Sequence, residues 1–285
     1  TSRIAIGSDN SVAAVAGNML YVWKSDGTRV AALNTKHGVA ADVEIAANLG
    51  MLFVTGHDEG VLDGKALSVA WLEGRTLAAP ETVLWRTWGF SPGELRENNA
   101  STYGRRISMG PDGYLYCMGV ADGRNSIFRW NGMSLGGATA LSFDVFNSLW
   151  NSDDVRRGYY TRLSAVTGEV LAGQFLIPRG RDLAAGNINL WEGDICADSA
   201  GNMYVTGICD AGLEGRDTRT LNGAPVGMFK TADPVLLIAA PDFSERRIWT
   251  PLTAGAGCTG SPVGVATRFG KTVVLARAST TVFPK

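Results

Sequence analysis

Histidine is nearly missing from this chain: His37 and His57 are the only two in 285 residues. The four cysteines, Cys117, Cys196, Cys209 and Cys258, contain no CxxC pair. A zinc site of the Cys/His type is therefore not expected. No Asp-x-Asp-x-Asp series is present, so calcium ligation is not expected either, and no metal is assigned. Charge is sparse, at 19% of residues, and the net charge is −1 with acids and bases interspersed. That excludes a basic face for nucleic acid and a polybasic run for anionic lipid. No apolar run approaches the roughly 18 residues of a membrane span, so no membrane insertion is expected. No Walker loop, no G-x-G-x-x-G after a strand and no G-x-S-x-G stretch occurs, so no cofactor is expected. His57 stands beside Asp58, but adjacent strand residues point to opposite faces and make poor catalytic partners. No signal peptide is visible, so export has to be inferred from other features.

What is abundant is glycine, 36 residues, set among short runs of Val, Ile, Tyr and Thr. The segment GDICADSAGNMYVTG, residues 193–207, reads as a strand, a small polar turn and a second strand. RRISMGPDGYLYCMG (105–119) aligns with it without a gap, and ADVEIAANLGMLFVTG (41–56) aligns with one extra turn residue. Weaker copies are SVAAVAGNMLYVW (11–23) and SPVGVATRFGKTVVLA (261–276). Five hairpins of one kind in 285 residues, about 57 residues per unit, denote a repeat architecture. No window shows a sustained helical period. The reading is all-β: a single β-propeller over 1–285, with five blades expected and four or six left open. A surface insertion is expected at about 132–158. Residues 3–7 are expected to add the outer strand of the last blade, so that pairing of the N- and C-terminal strands closes the ring. Ile195, Ala197, Met203, Val205, Ile107, Leu115, Val43 and Ile45 are the expected blade core.

The pattern D-I-x-x-D-x-x-G-N-x-Y-V-T-G at 194–207 resembles the repeat of bacterial extracellular β-propellers, the SBBP type, which is similar to NHL repeats. The resemblance implies a propeller fold and a secreted or cell-surface location. It carries no catalytic residues over.

Two sets of residues are candidates for ligand binding. Glu59, Asp122 and Asp210 each follow the second strand of a hairpin, and together they would form a partial ring of carboxylates on one face. Trp88, Trp150 and Trp191 sit among polar loop residues, where an indole could stack on a sugar; Trp85 and Trp249 are expected between blades. The arginine pairs 105–106, 156–157 and 246–247 read as solvated strand ends, as partners of those acids or as an anion site. Cys209 and Cys258 are expected to meet across a blade boundary as a disulfide, which would imply an oxidising compartment. The leading functional expectation is a non-enzymatic extracellular binding or adhesion module, with a glycan or another surface protein as partner. Two alternatives stay open. One is a carbohydrate-active enzyme, a glycosidase or lyase, using Glu59, Asp122, Asp153, Asp154 or Asp210. The other is a structural subunit of a surface assembly.

Overall fold

The structure is a computed structural model. It describes residues 2–95, 100–122, 128, 132, 156–176, 188–190, 193–209, 218–221, 223–228, 232–252 and 260–278. Antiparallel strands dominate the described residues. The first sheet runs β1 (Ser2–Ile6), β2 (Val12–Ala16), β3 (Met19–Trp23) and β4 (Arg29–Asn34) in that order. The second runs β5 (Val39–Ala46), β6 (Met51–Leu62), β7 (Lys65–Thr76) and β8 (Val83–Trp88). The third runs β9 (Thr102–Met109), β10 (Tyr114–Ala121), β11 (Arg157–Ser164) and β12 (Val170–Leu176). In the fourth, β13 (Ile188–Asn189) and β14 (Ile195–Ala197) both pair with β15 (Met203–Cys209). A small hairpin, β16 (Thr220–Leu221) with β17 (Ala224–Pro225), precedes β18 (Asp233–Ala239) and β19 (Arg246–Pro251), which complete that sheet. The last sheet holds β20 (Gly260–Arg268) and β21 (Lys271–Ala278) among the described residues.

Apart from the small β16–β17 hairpin, five antiparallel sheets therefore follow one another along the described chain. Strands β1, β5, β9, β14 and β20, one from each sheet, line a common cavity of about 420 Å³. Sheets radiating from a shared axial channel define a β-propeller. Apolar residues fill the spaces between neighbouring sheets. Leu20, Val22, Val43 and Leu52 fill the first space, Phe53, Trp85, Ile107 and Tyr159 the second, and Tyr116, Ile195, Val205 and Phe243 the third. All eight residues expected in the blade core are buried. Trp85 packs against Phe53, and its indole N–H donates to the Ala165 carbonyl at 3.1 Å.

Two expectations about the chain ends need correction. Residues 3–7 do not extend the last sheet. β1 pairs with β2 in the register Ser2–Ala16 to Ile6–Val12, and it is the inner strand of the first sheet. The hairpin at 11–23 is consequently β2–β3, one strand further out than its four counterparts. The reason lies in the turn. Gly7 N–H donates to the Ser11 carbonyl and Asn10 N–H to the Gly7 carbonyl, at 2.8 and 2.9 Å. The same two bonds recur at Gly110–Tyr114 with Gly113, and at Asp198–Asn202 with Gly201. Asn10 takes the left-handed conformation (φ 64°) that Gly113 and Gly201 take elsewhere. Asparagine tolerates that region better than other side-chain-bearing residues, so an authentic first copy lacks the glycine that marks the others. Of the expected insertion, residues 133–155 lie outside the described residues, while Arg157 and Gly158 already belong to β11.

Candidate functional site

The residues singled out from sequence do not converge on one site. Glu59 is exposed on the long β6–β7 hairpin. Asp122 is bound by Arg156, Nε to Oδ1 at 2.9 Å. Neither lines the axial cavity. Asp210, Trp150, Trp191, Asp153, Asp154 and Cys258 lie outside the described residues, and with Cys258 the proposed disulfide; Cys209 is fully buried. Trp88 is not a stacking platform. It is 3% exposed and meets Phe128 and Tyr159 edge-on at 5.0 and 5.7 Å. Arg105, Arg106 and Arg157 are buried rather than solvated.

The axial cavity carries the chemistry that sequence reading missed. Counting back four residues from the recurring turns reaches Arg3, Arg106 and Asp194 in three inner strands; Asp42 is their counterpart in β5. Asp42 Oδ2 accepts the Ile107 N–H of the next sheet at 3.1 Å. Asp194 Oδ2 accepts the Val265 N–H of the following sheet, also at 3.1 Å. The equivalence of Ile107 and Val265 places Gly264 at the fifth position. The ring thus reads Arg, Asp, Arg, Asp, Gly from the first sheet to the last. Burial pushes Asp42 up to about 6, against the pull of Arg106 and Arg3. Glu44, one turn of the pleat further along β5, is pushed up to about 7 by burial and by Asp42 and Asp194. Burial raises Asp194 as well, against the pull of Arg106 and Arg3. Only the fold makes this ring: its members are at least 39 residues apart in pairs, from Arg3 to Asp42 and beyond.

A second charged cluster surrounds Glu73, whose side chain is fully buried. It accepts Arg75 Nε and Nη2 at 2.9 and 2.6 Å, Arg86 Nε and Nη2 at 2.9 and 2.6 Å, and His37 Nε2 at 3.0 Å. The other imidazole nitrogen of His37 meets Asp58 Oδ2 at 2.8 Å, and the ring stacks on Trp71 at 4.2 Å. A carboxylate on each ring nitrogen favours the imidazolium, while Arg86 Nη2, 3.2 Å from Nε2, opposes it. Burial opposes that charge, but the bonds to Asp58 and Glu73 win and raise the His37 pKa. Burial likewise opposes the Glu73 charge, and its partners hold it down at about 2. Asp58 thus serves His37, not its sequence neighbour His57. The cluster ties the segment between the first two sheets to β6, β7 and β8.

The surface has one further feature, a seam between the first and last sheets. Among the described residues every other adjacent pair of sheets is in broad contact, whereas β1–β4 and β20–β21 are not. One face of the first sheet (Ala5, Ala13, Val15, Val22) is buried against the second sheet. Its other face presents Ile4 and Ile6, which are 70% and 69% exposed, with Tyr21 and Trp23 stacked beside them at 6.0 Å. Across the seam Phe269, Val273 and Leu275 are 87%, 67% and 64% exposed. Exposed apolar residues gathered on facing surfaces mark interaction sites, unlike the isolated ones common on any protein.

No protein-family model and no curated protein matches this chain. Solved structures resemble it distantly. Kuenenia stuttgartiensis hydrazine synthase has a TM-score of 0.44 at 13% identity, over 72% of this chain and 51% of that one. The WD40 repeats of RRP9 have a TM-score of 0.35 at 9% identity, over 87% and 66% of the two chains. The tricorn protease has a TM-score of 0.41 at 12% identity, over 96% of this chain and 25% of that one. This chain therefore spans about half of the hydrazine synthase chain and a quarter of the tricorn chain.

Proposed function

We propose that this propeller is a non-enzymatic interaction module of the bacterial extracellular repeat type, and that its partner is another protein. The observation that carries the reading is the apolar surface of the first and last sheets, where Ile4, Ile6, Phe269, Val273 and Leu275 stand exposed among the described residues. Apolar surface of this kind is stabilised when a partner removes it from water, by roughly 25 cal/mol per Å². A protein is favoured over a glycan because the exposed apolar side chains are mostly aliphatic, and because Trp88 is buried. Secretion fits the repeat at 194–207. The test is an interaction screen with the intact protein, run beside a glycan array and a reducing-sugar release assay. Wild type is expected to bind a protein partner, and an Ile4→Asp, Leu275→Asp variant to lose it while keeping its melting temperature. Binding indifferent to both substitutions would refute the reading.

A carbohydrate-active enzyme is the second reading, favoured by Glu44. A carboxyl raised to about 7 keeps a substantial protonated fraction at neutral pH, as a general acid needs, and Asp42 and Asp194 lie close enough to influence it. Sugar release abolished by Glu44→Gln would establish it in place of the first.

A further inference from the structure

The charges around the axial cavity act on one another without pairing. Arg106 is 4% exposed. It stands opposite Met118, which packs between the third and fourth sheets, so its side chain is turned toward the sheet that carries Asp194. Its Nη1 donates to the Arg105 carbonyl at 2.8 Å, and its Nε has no hydrogen-bond partner among the described residues. Arg3 lines the cavity and stands opposite Val15, which turns it toward the second sheet and Asp42. Both guanidinium groups act through space on Asp42 and on Asp194. Among the described residues neither forms an ion pair with either carboxyl. Backbone N–H groups fix the acids that line the cavity. Asp42 accepts Val43 and Ile107 at 3.0 and 3.1 Å, Asp194 accepts Val265 at 3.1 Å, and Glu44 accepts Ile45 at 3.0 Å. A carboxylate has about four acceptor sites, so each acid keeps capacity for a further donor.

We propose that the axial cavity binds a free α-amino acid as its zwitterion. The ligand carboxylate lies between Arg3 and Arg106 and supplies the acceptor for Arg106 Nε. Its ammonium group donates to the remaining acceptor sites of Asp42, Glu44 and Asp194. A buried guanidinium with an unmade hydrogen bond is costly, and a ligand oxygen offsets that cost. Three carboxyls against two guanidinium groups leave the site one cation short, and burial raises all three acids accordingly. An ammonium group is the missing cation. A plain anion would leave the acids uncompensated, and a plain amine would leave Arg106 unmatched. A neutral sugar fits less well, because no aromatic side chain lines the cavity among the described residues to stack on its apolar face. A metal ion is not the occupant indicated either, since no group of three or more His, Cys, Asp or Glu among the described residues is placed to hold one. The cavity volume of about 420 Å³ falls in the lower part of the range for small-molecule sites. This proposal goes beyond the protein-partner reading and does not depend on it, because the charged residues it uses are not the exposed apolar ones.

The experiment is isothermal titration calorimetry of the full chain against each standard amino acid at millimolar concentration, with glucose as the neutral control. For the tightest amino acid, the matching amine without the carboxylate and the matching acid without the amine are titrated as well. At least one amino acid is expected to bind, and loss of either charged group from it to weaken binding by about tenfold or more. Arg106→Gln and Glu44→Gln are each expected to weaken the intact amino acid to a similar degree, with the melting temperature of each variant followed in parallel. Glu44 is only partly buried, so Glu44→Gln remains informative if Arg106→Gln does not fold. No binding of any amino acid overturns the proposal. Binding that both variants leave unchanged places the ligand elsewhere and overturns it too. An amine or an acid that binds as tightly as the amino acid overturns the zwitterion, and glucose bound in preference turns the cavity toward the carbohydrate reading.

Discussion

Replacing Glu73 by Gln perturbs the most densely bonded buried charge in the described residues. The amide keeps the volume of the carboxylate but loses its charge, and one of its two ends becomes a donor. Five donor contacts converge on Glu73 at 2.6–3.0 Å, from Arg75, Arg86 and His37. Gln therefore sets N–H against the Nε and Nη2 of one arginine fork and leaves that guanidinium without its acceptor. Breaking a buried ion pair from one side costs about 3–5 kcal/mol. The Arg86 side chain is 45% exposed and regains water, which favours the lower part of that range. The melting temperature should fall by roughly 6–20 °C, read by calorimetry with reversibility checked. A pH series adds a second reading. His37 has its folded pKa raised above 6.5, so its contribution is complete below pH 6.5 and is lost as pH rises through the folded value. Glu73 is depressed from 4.5 to about 2, so its contribution is complete above pH 4.5 and is lost as pH falls toward 2. His57 is shifted the other way, chiefly by burial, and its contribution is lost as pH falls below 6.5. The difference between wild type and His37→Gln cancels His57 and Glu44 and isolates His37. That difference should shrink steadily from pH 6.5 upward. A Glu73→Gln penalty under about 1 kcal/mol, the value of an exposed pair, together with a flat His37 difference, would refute the account of this cluster.

Three further outcomes follow from packing and turn geometry. Tyr116→Ala should cost about 3–5 kcal/mol in urea unfolding, because Tyr116 is fully buried and its hydroxyl donates to Asp112 Oδ2 at 2.6 Å; Tyr204→Ala should cost clearly less, because Tyr204 is only partly buried. Gly56→Ala should give little soluble folded protein, judged by circular dichroism and gel filtration, because the added Cβ would overlap the Val39 carbonyl oxygen of the paired strand. Asn10→Gly should hold or slightly raise the melting temperature and Asn10→Val should lower it by several degrees, because position 10 has φ 64° and a β-branched side chain is strained there.

The sequence alone determined the local units. Alternation around small polar turns marked the hairpins, since period-2 burial and turn chemistry are written in neighbouring residues. It marked Ile107, Leu115, Ile195, Met203 and Val205 as core for the same reason, and they are buried. It failed where a unit was spelled differently. Asn10 replaced the turn glycine, so β1 was assigned to the wrong end of the ring. It failed equally where the deciding distance ran through space. Trp88 sits among polar residues in the chain but between Phe128 and Tyr159 in the fold. Glu73 and His37 find each other across 36 residues. The Arg3, Asp42, Arg106, Asp194 and Gly264 ring needs one residue from each of five sheets. Such groupings depend on which strand edges turn toward a common axis, and no local pattern of residue types encodes that. The exposed apolar faces are the same kind of fact: Ile4, Ile6, Val273 and Leu275 read as ordinary strand residues, and only the packing of the described sheets shows them exposed.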